Sequence, residues 1–178
     1  MPRLFVALSL PNSTQFALAQ LAPPNVRGVR VTAPSQMHVT LHFLGDVPLE
    51  RALDALSDVI PSEIELAISG VGRFRARDGE QVLWAGLRPC PALLDLHGRM
   101  GEALRRRQFH VEQRPYAPHV TLARCRRGVP PELIEDFLGQ HRTLTLPPVT
   151  LRSFELYSSH VASGGHEYRL ERSFAAPA

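Results

Sequence analysis

The sequence contains no lysine, so all 20 of its basic residues are arginine, and it has only two cysteines, Cys90 and Cys125. Two cysteines cannot form a disulfide framework, and neither lies in a Cys-x-x-Cys or other metal-ligand spacing. No apolar run approaches the roughly 20 residues needed to span a bilayer. These absences exclude a disulfide-stapled scaffold, a cysteine-based metal site and a membrane-spanning protein. They predict a cytoplasmic protein with reduced thiols and no membrane contact.

The apolar run from Leu4 to Leu10, which follows Met1-Pro2-Arg3, imitates the start of a secretory signal peptide. The run is too short for that role, and Pro11-Asn12-Ser13-Thr14 follows at once. These four residues favour a turn and a helix N-cap. We therefore predict a strand followed by a helix in this region.

Size predicts one domain or a tightly joined pair of lobes, and the basic charge indicates an anionic partner. The chain has 178 residues, of which 44% are hydrophobic, enough for a core within a single domain over residues 1–178. Its net charge is +3 and its pI is about 9.4. The arginines cluster at Arg73, Arg75 and Arg77, at Arg105 to Arg107, and at Arg124, Arg126 and Arg127. Such clusters suit either an approach path for phosphate or solvated surface charge.

The tetrapeptide His-Val-Thr-Leu occurs twice, at His38 to Leu41 and at His119 to Leu122. Each copy lies in a short apolar run that is typical of a β-strand. Because successive strand residues point to opposite faces, His38 and Thr40 should share one face while Val39, Leu41 and Phe43 are buried on the other. His119 and Thr121 repeat this pattern. A single histidine on an apolar strand is more often structural than catalytic, but a duplicated pattern indicates a functional pair.

Two alternatives test this interpretation. His141-Arg142-Thr143-Leu144 also fits His-x-Thr-Leu, but Arg142 replaces the valine, so we expect His141 to be a surface residue between a helix and a strand.

His38 and His42 have a spacing familiar from zinc sites on helices. On a strand they would lie roughly 13 Å apart, too far to share one ion. We therefore predict that the protein has no metal site and no cofactor.

Periodicity and turn residues predict eight strands and four helices. The strands are expected at about 3–10, 28–33, 37–44, 64–74, 81–88, 119–124, 149–158 and 166–173. The helices are expected at about 13–21, 48–60, 91–107 and 131–140, three of them with proline in or near the first turn. Strands that do not alternate strictly with helices favour an α+β fold with antiparallel sheets.

Four segments together resemble the two-histidine (2H) phosphoesterase superfamily, in particular its bacterial RNA 2′,3′-cyclic phosphodiesterases, also called 2′-5′ RNA ligases. They are Arg3 to Ala7, Met37 to Gly45, Val82 to Leu87 and Pro118 to Arg124. The resemblance implies a bilobal α+β fold with two antiparallel sheets related by pseudo-two-fold symmetry, helices outside and a central cleft. The 81-residue offset between His38 and His119 suits such a duplication.

The resemblance also implies a mechanism without metal, in which the two histidines open a 2′,3′-cyclic phosphate to a 2′-phosphate. His38 would be the proton donor and His119 the proton acceptor, roles that histidine can take near neutral pH. Thr40, Thr121 and Arg124 would bind the phosphate, although strict alternation places Arg124 on the wrong face unless the strand twists or ends. Further candidate contacts to the base or cleft are Phe5, His42, Trp84 and Tyr116.

The expected partners are RNA or oligonucleotide ends that carry a 2′,3′-cyclic phosphate, including tRNA fragments, and the protein is expected to act as a monomer. Small cyclic nucleotides and ADP-ribose cyclic phosphate remain open as substrates. The reverse reaction, 2′-5′ RNA ligation, is the alternative activity. A non-catalytic module that binds RNA ends is a second alternative, with Phe5, Trp84, Phe109 or Tyr116 stacking on bases.

Overall fold

A computed structural model describes residues 3–163 and 165–178. Met1 and Pro2, with which the signal-like segment begins, lie outside the described residues. The strands are β1 (Arg3–Ser9), β2 (Val29–Val31), β3 (His38–Gly45), β4 (Ile64–Leu66), β5 (Ile68–Arg75), β6 (Gln81–Leu87), β7 (His119–Cys125), β8 (Val149–Leu151), β9 (Ser153–Ala162) and β10 (Gly165–Ala175). The helices are α1 (Asn12–Ala19), α2 (Leu49–Leu56), α3 (Pro91–Arg106) and α4 (Pro131–Gln140), and Pro34–Gln36 forms one 3-10 turn.

One eight-stranded antiparallel sheet organises the molecule, with the order β10-β9-β1-β3-β7-β6-β5 and with β2 paired to β7. A separate sheet consists of β4 and β8. The prediction of an α+β fold built from antiparallel sheets is confirmed. We call β10, β9, β1 and β3 the first half of the main sheet, and β7, β6, β5 and β2 the second half.

The two halves meet at the strands that carry the repeated motif. In the described part of the chain, the ladder between β3 and β7 consists of one residue pair, Val39 opposite Val120. Both valines are fully buried. The two sheets that the resemblance implies are therefore continuous with each other, but only through this narrow joint.

Two long predicted strands are each divided in the structure. The segment predicted at 64–74 becomes β4 and β5, and that at 149–158 becomes β8 and β9. The reason is that β4 pairs with β8 in the small sheet, whereas β5 pairs with β6 and β9 pairs with β1 and β10 in the main sheet. Alternation along the sequence predicts an extended chain and cannot reveal that the chain changes sheets.

Proline marks the start of each of the four helices named above. Pro91 and Pro131 are the first residues of α3 and α4, and Pro11 and Pro48 directly precede α1 and α2. The missing N–H of proline costs nothing in the first turn, where the N–H groups have no partner within the helix. Within the described residues, no helix is both long enough and apolar enough to cross a membrane.

Candidate active site

The two motif strands share a β-bulge at the same position. In β3, Thr40 lies opposite Ala7 and His42 lies opposite Val6 of β1, so Leu41 is an extra residue. In β7, Thr121 lies opposite Trp84 and Ala123 lies opposite Leu83 of β6, so Leu122 is the extra residue. A bulge places two residues of one strand against one of its partner and so reverses the alternation of faces beyond it.

The bulges bring Phe43 and Arg124 to the same face as the histidines. Up to the bulge the predicted pattern is confirmed, because Val39, Leu41, Val120 and Leu122 are all buried. Beyond it the prediction that Phe43 is buried is wrong, since its side chain is 67% exposed. The same reversal exposes Arg124 and buries Ala123. Arg124 thus reaches the histidine face despite the objection from strict alternation.

Each histidine ring is held by the carbonyl two residues before it. His38 Nδ1 lies 2.7 Å from the Gln36 oxygen, and His119 Nδ1 lies 2.8 Å from the Ala117 oxygen. A carbonyl can only accept a hydrogen bond, so both Nδ1 atoms carry the proton. In both rings, Nε2 is therefore the nitrogen that can gain or lose a proton.

His38 Nε2 also lies 3.1 Å from Thr40 Oγ1. In the neutral ring Nε2 is an acceptor, so the threonine hydroxyl donates to it; in the charged ring the direction reverses. Thr121 occupies the matching position beside His119, and both threonines are half-buried. Each half thus presents an imidazole and a hydroxyl on the same face.

Burial dominates the electrostatics of the pair. It lowers the pKa of His38, against the opposing effect of the Gln36 carbonyl, and the charge of His119 lowers it further. Burial likewise lowers the pKa of His119, with the Ala117 carbonyl opposing and the Arg124 charge adding to the decrease. The two rings share one site because β3 and β7 are neighbours and both histidines lie on the face opposite the buried Val39 and Val120.

The histidines have different aromatic neighbours. The His38 ring lies 5.1 Å from Phe5 and 5.5 Å from Tyr168 between ring centroids. The His119 ring lies 4.8 Å from Phe74 and 6.3 Å from Trp84. Phe5 and Trp84 were named from sequence as candidate contacts to the base or cleft, whereas Tyr168 and Phe74 were not named. Both missed residues lie on strands distant in sequence from the motif that they contact, and nothing in the local pattern marks them.

His42 does not reach this face. It is buried, its Nε2 lies 2.9 Å from the His97 carbonyl oxygen on α3, and its ring stacks on that of His97. The prediction that His42 contacts the cleft is therefore corrected. His42 lies just past the bulge of β3, at the position that the buried Ala123 occupies in β7. Tyr116 is also committed elsewhere, since its hydroxyl donates to the Thr40 carbonyl oxygen at 2.8 Å.

One arginine in each of two of the three arginine clusters has another partner. Arg73 pairs with Glu135 of α4 at 2.6 Å, on the helix-covered side of the sheet, so it does not line the site. Arg107, at the end of α3, pairs with Asp54 and Asp58. Arg124 remains beside His119, where its guanidinium lies 3.4 Å from Glu80. His141 follows α4 and packs on Phe137, apart from the pair.

This arrangement suits proton transfer across a small anionic group. Two imidazoles present Nε2 atoms to one site, and two hydroxyls and one guanidinium supply hydrogen-bond donors beside them. One imidazole can accept a proton while the other donates one. Across residues 3–163 and 165–178, no group of three or more His, Cys, Asp or Glu side chains is placed to hold a metal ion.

Comparison with known proteins matches these features to one family. Residues 17–162 match the model of the 2′-5′ RNA ligase superfamily. The chain is 27% identical over 177 residues to an RNA 2′,3′-cyclic phosphodiesterase of Archaeoglobus fulgidus, covering 97% of this chain and 99% of that protein. It is 29% identical to the protein of that name in Escherichia coli, covering 93% and 92%. A Geobacillus stearothermophilus relative of the same name is 31% identical over 122 residues, but the chain spans only 39% of its length.

Solved structures agree with the sequence matches. The structure of E. coli LigT in complex with 3′-AMP superposes with a TM-score of 0.74 at 26% identity, over 98% of each chain. A protein described as a phosphoesterase superposes with a TM-score of 0.73 at 25% identity, over 99% of each chain. The match extends over both halves of the sheet.

Proposed function

This chain belongs to the 2′-5′ RNA ligase superfamily, and we propose that it is an RNA 2′,3′-cyclic 3′-phosphodiesterase that opens cyclic phosphate ends to 2′-phosphates. The observation that carries the proposal is the matched pair of histidines, each with Nδ1 fixed by a carbonyl and Nε2 free to exchange a proton. Relatives named RNA 2′,3′-cyclic phosphodiesterase that align over nearly the whole chain support it.

In the proposed reaction, His119 Nε2 removes a proton from water as the water oxygen attacks phosphorus. The bond from phosphorus to the 3′ oxygen breaks, and His38 donates the proton on its Nε2 to that oxygen. The products are a 2′-phosphate and a free 3′-hydroxyl, and the histidines have exchanged protonation states. Proton return through solvent restores the starting state. The donor and acceptor roles follow from the family resemblance, because the two motifs are nearly alike.

Thr40, Thr121 and Arg124 are proposed to bind the non-bridging phosphate oxygens. Charge on these oxygens is stabilised by donors held in place before the reaction. Arg124 lies on the histidine face because of the bulge at Leu122, and its present neighbour is Glu80 at 3.4 Å. A phosphate offers the same guanidinium two acceptors in a bidentate geometry.

The face around His38 suits the nucleobase. Phe43 is exposed there, 6.2 Å from the buried Phe5 between ring centroids, and the Tyr168 ring lies 5.0 Å from Phe5 in an edge-to-face arrangement. In the second half, the position that matches Phe43 holds Arg124. We propose that this difference orients the substrate, with the base over the aromatic residues of the first half and the phosphate towards Arg124. Trp84 packs over Gly72 and serves as a wall beside His119.

Phe43→Ala should raise KM for a cyclic-phosphate substrate about tenfold while kcat stays within about twofold, since stacking on one base is worth roughly 1–3 kcal/mol. Phe43 is mostly exposed, so the variant should fold normally. Steady-state kinetics with 2′,3′-cyclic AMP check this. Phe16→Ala removes a similarly exposed phenylalanine from α1 and should change neither constant. An unchanged KM for Phe43→Ala would place the base elsewhere.

The natural substrates are proposed to be RNA ends with a 2′,3′-cyclic phosphate, such as tRNA fragments, and the protein to act in the cytoplasm as a monomer with one bilobal catalytic domain. The complex of E. coli LigT with 3′-AMP supports a nucleotide as the kind of ligand. Ligation of a 2′,3′-cyclic end to a 5′-hydroxyl is the alternative activity. In that reaction the 5′-hydroxyl attacks phosphorus in place of water, the 3′ oxygen departs, and the same base and acid accept and donate the proton.

Activity should survive exhaustive chelation, because no step above uses a metal. Treat the protein with EDTA, supply 2′,3′-cyclic nucleotides and cyclic-phosphate-ended RNA, and follow the products by phosphorus NMR. Retained turnover to a monoester supports the proposal. Loss of activity that one divalent ion restores, and others do not, would replace the two-histidine mechanism with a metal site. Binding of RNA ends without turnover would favour a non-catalytic module.

A further inference from the structure

We infer that Tyr116 is a positioning residue that fixes the separation of the two catalytic histidines. The inference rests on the proposed function of the His38 and His119 pair. The joint between the halves of the sheet is narrow, since β3 and β7 share one residue pair in the described structure. His38 lies directly before Val39, and His119 directly before Val120. The spacing of the two rings therefore depends on whatever else ties these strands together.

Tyr116 supplies such a tie. It lies three residues before His119, and its hydroxyl donates to the backbone carbonyl of Thr40 on β3 at 2.8 Å. Ala117, the next residue, provides the carbonyl that holds His119 Nδ1. One hydrogen bond thus connects the segment that orients His119 to the strand that carries His38 and Thr40.

The Tyr116 ring is itself held on α3. It stacks on His97 with 3.8 Å between ring centroids and 7° between planes, and His97 stacks on His42 at 4.2 Å and 15°. Burial and the nearby charges of His42 and Arg105 lower the pKa of His97 to about 4. Burial also lowers the pKa of His42. Both imidazoles are therefore neutral at neutral pH, and the stack carries no like-charge repulsion.

Burial raises the pKa of Tyr116 well above its usual value, so its hydroxyl keeps the proton that it donates. The ring and the hydroxyl then act together: α3 fixes the ring, and the ring directs the hydroxyl at the Thr40 carbonyl. Because its hydroxyl donates to the Thr40 carbonyl, Tyr116 links the two halves of the sheet. This role differs from the base contact expected from sequence.

Tyr116→Phe keeps the stacked ring and removes only the link. We expect kcat to fall about tenfold and KM to stay within about twofold, since small misplacements of catalytic groups cost up to roughly 10²-fold in rate. The fraction of the minor product isomer should also rise. His97→Ala, which leaves the hydroxyl but removes the ring beneath it, should give a smaller loss of the same kind.

Tyr157→Phe is the matched control. Its hydroxyl bonds Ser9, and both residues lie in the first half, so this bond does not cross the joint. Both tyrosine variants should lose about 2–4 °C in melting temperature, as for one buried hydrogen bond in a chain of this size. Only Tyr116→Phe should lose kcat. Equal activity in the two variants, or a change in KM alone for Tyr116→Phe, would overturn the positioning role.

NMR titration of the histidine rings gives a readout that does not require turnover. In the wild type, the charge on His119 lowers the pKa of His38. A looser joint weakens this coupling, so the pKa of His38 should rise in Tyr116→Phe and not in Tyr157→Phe. No rise in either variant contradicts the inference. A rise in a protein that does not hydrolyse cyclic phosphates would support the positioning and reject the proposed function.

Discussion

His38→Ala and His119→Ala should each lower the rate of cyclic phosphate hydrolysis by about two to four orders of magnitude, the range for loss of one general acid or base. Both side chains are half-buried on the site face, while the core face of each strand is formed by Val39 and Val120. The variants should therefore keep the fold. Single-turnover rates measured with 2′,3′-cyclic AMP, alongside circular dichroism and thermal melting, separate the chemical loss from unfolding.

His141→Ala is the control for this prediction, because it alters the third His-x-Thr-Leu sequence of the chain. His141 caps α4 and contacts Phe137, so its removal should leave the rate nearly unchanged. A loss in His141→Ala as large as in the other two variants would show that burial of the motif valine does not identify the catalytic copies. A loss in only one of His38→Ala and His119→Ala would contradict the paired mechanism.

The sequence predicts the part of the site that depends on local geometry. The burial of Val39 and Val120 follows from alternation along a strand, and this alternation alone places His38 with Thr40 and His119 with Thr121. This prediction needs only the two-residue period of a strand, which can be read from the sequence. The anchoring of each Nδ1 to a carbonyl two residues earlier was not predicted, although it too lies within one short segment.

The bulges are the point at which prediction from alternation fails. The extra residues Leu41 and Leu122 are apolar in an already apolar run, so nothing in the sequence signals that two adjacent residues will both be buried. The error places Phe43 in the core and Arg124 on the wrong face, and it leaves His42 in the cleft. The family resemblance predicts Arg124 on the site face, because that prediction does not depend on locating the bulge.

Contacts between distant segments are the other part that the sequence does not predict. Tyr168 reaches His38 from β10, and Phe74 reaches His119 from β5. Each depends on strand order, which brings the C-terminal hairpin beside β1 and the β5–β6 hairpin beside β7. The division of the predicted strand at 64–74 between two sheets has the same origin. Periodicity describes one strand at a time, and pairing is a property of the whole fold.

Hydrolysis should give the 2′-phosphate as the predominant isomer, which is the second large effect that we expect. The water must attack opposite the departing oxygen, so a water activated by His119 requires the leaving oxygen to face His38. The unlike surroundings of the two histidines, with Phe43 in the first half and Arg124 in the second, would hold the nucleotide in one orientation. Phosphorus NMR of the product of 2′,3′-cyclic AMP, compared with authentic 2′-AMP and 3′-AMP, measures the ratio.

Opening of the ring without an enzyme is the natural control, because it lacks this positioning and should give both isomers. Predominant 3′-phosphate would have one of two causes. Either the nucleotide binds in the reverse orientation, so that the 2′ oxygen departs towards His38, or the two histidines exchange roles. Phe43→Ala distinguishes these cases: if the aromatic face sets the orientation, the variant should yield more of the minor isomer, whereas an exchange of roles leaves the ratio unchanged. A ratio in the wild type equal to that of the uncatalysed reaction would contradict catalysis at this site, since a fixed acid and base cannot release both oxygens equally.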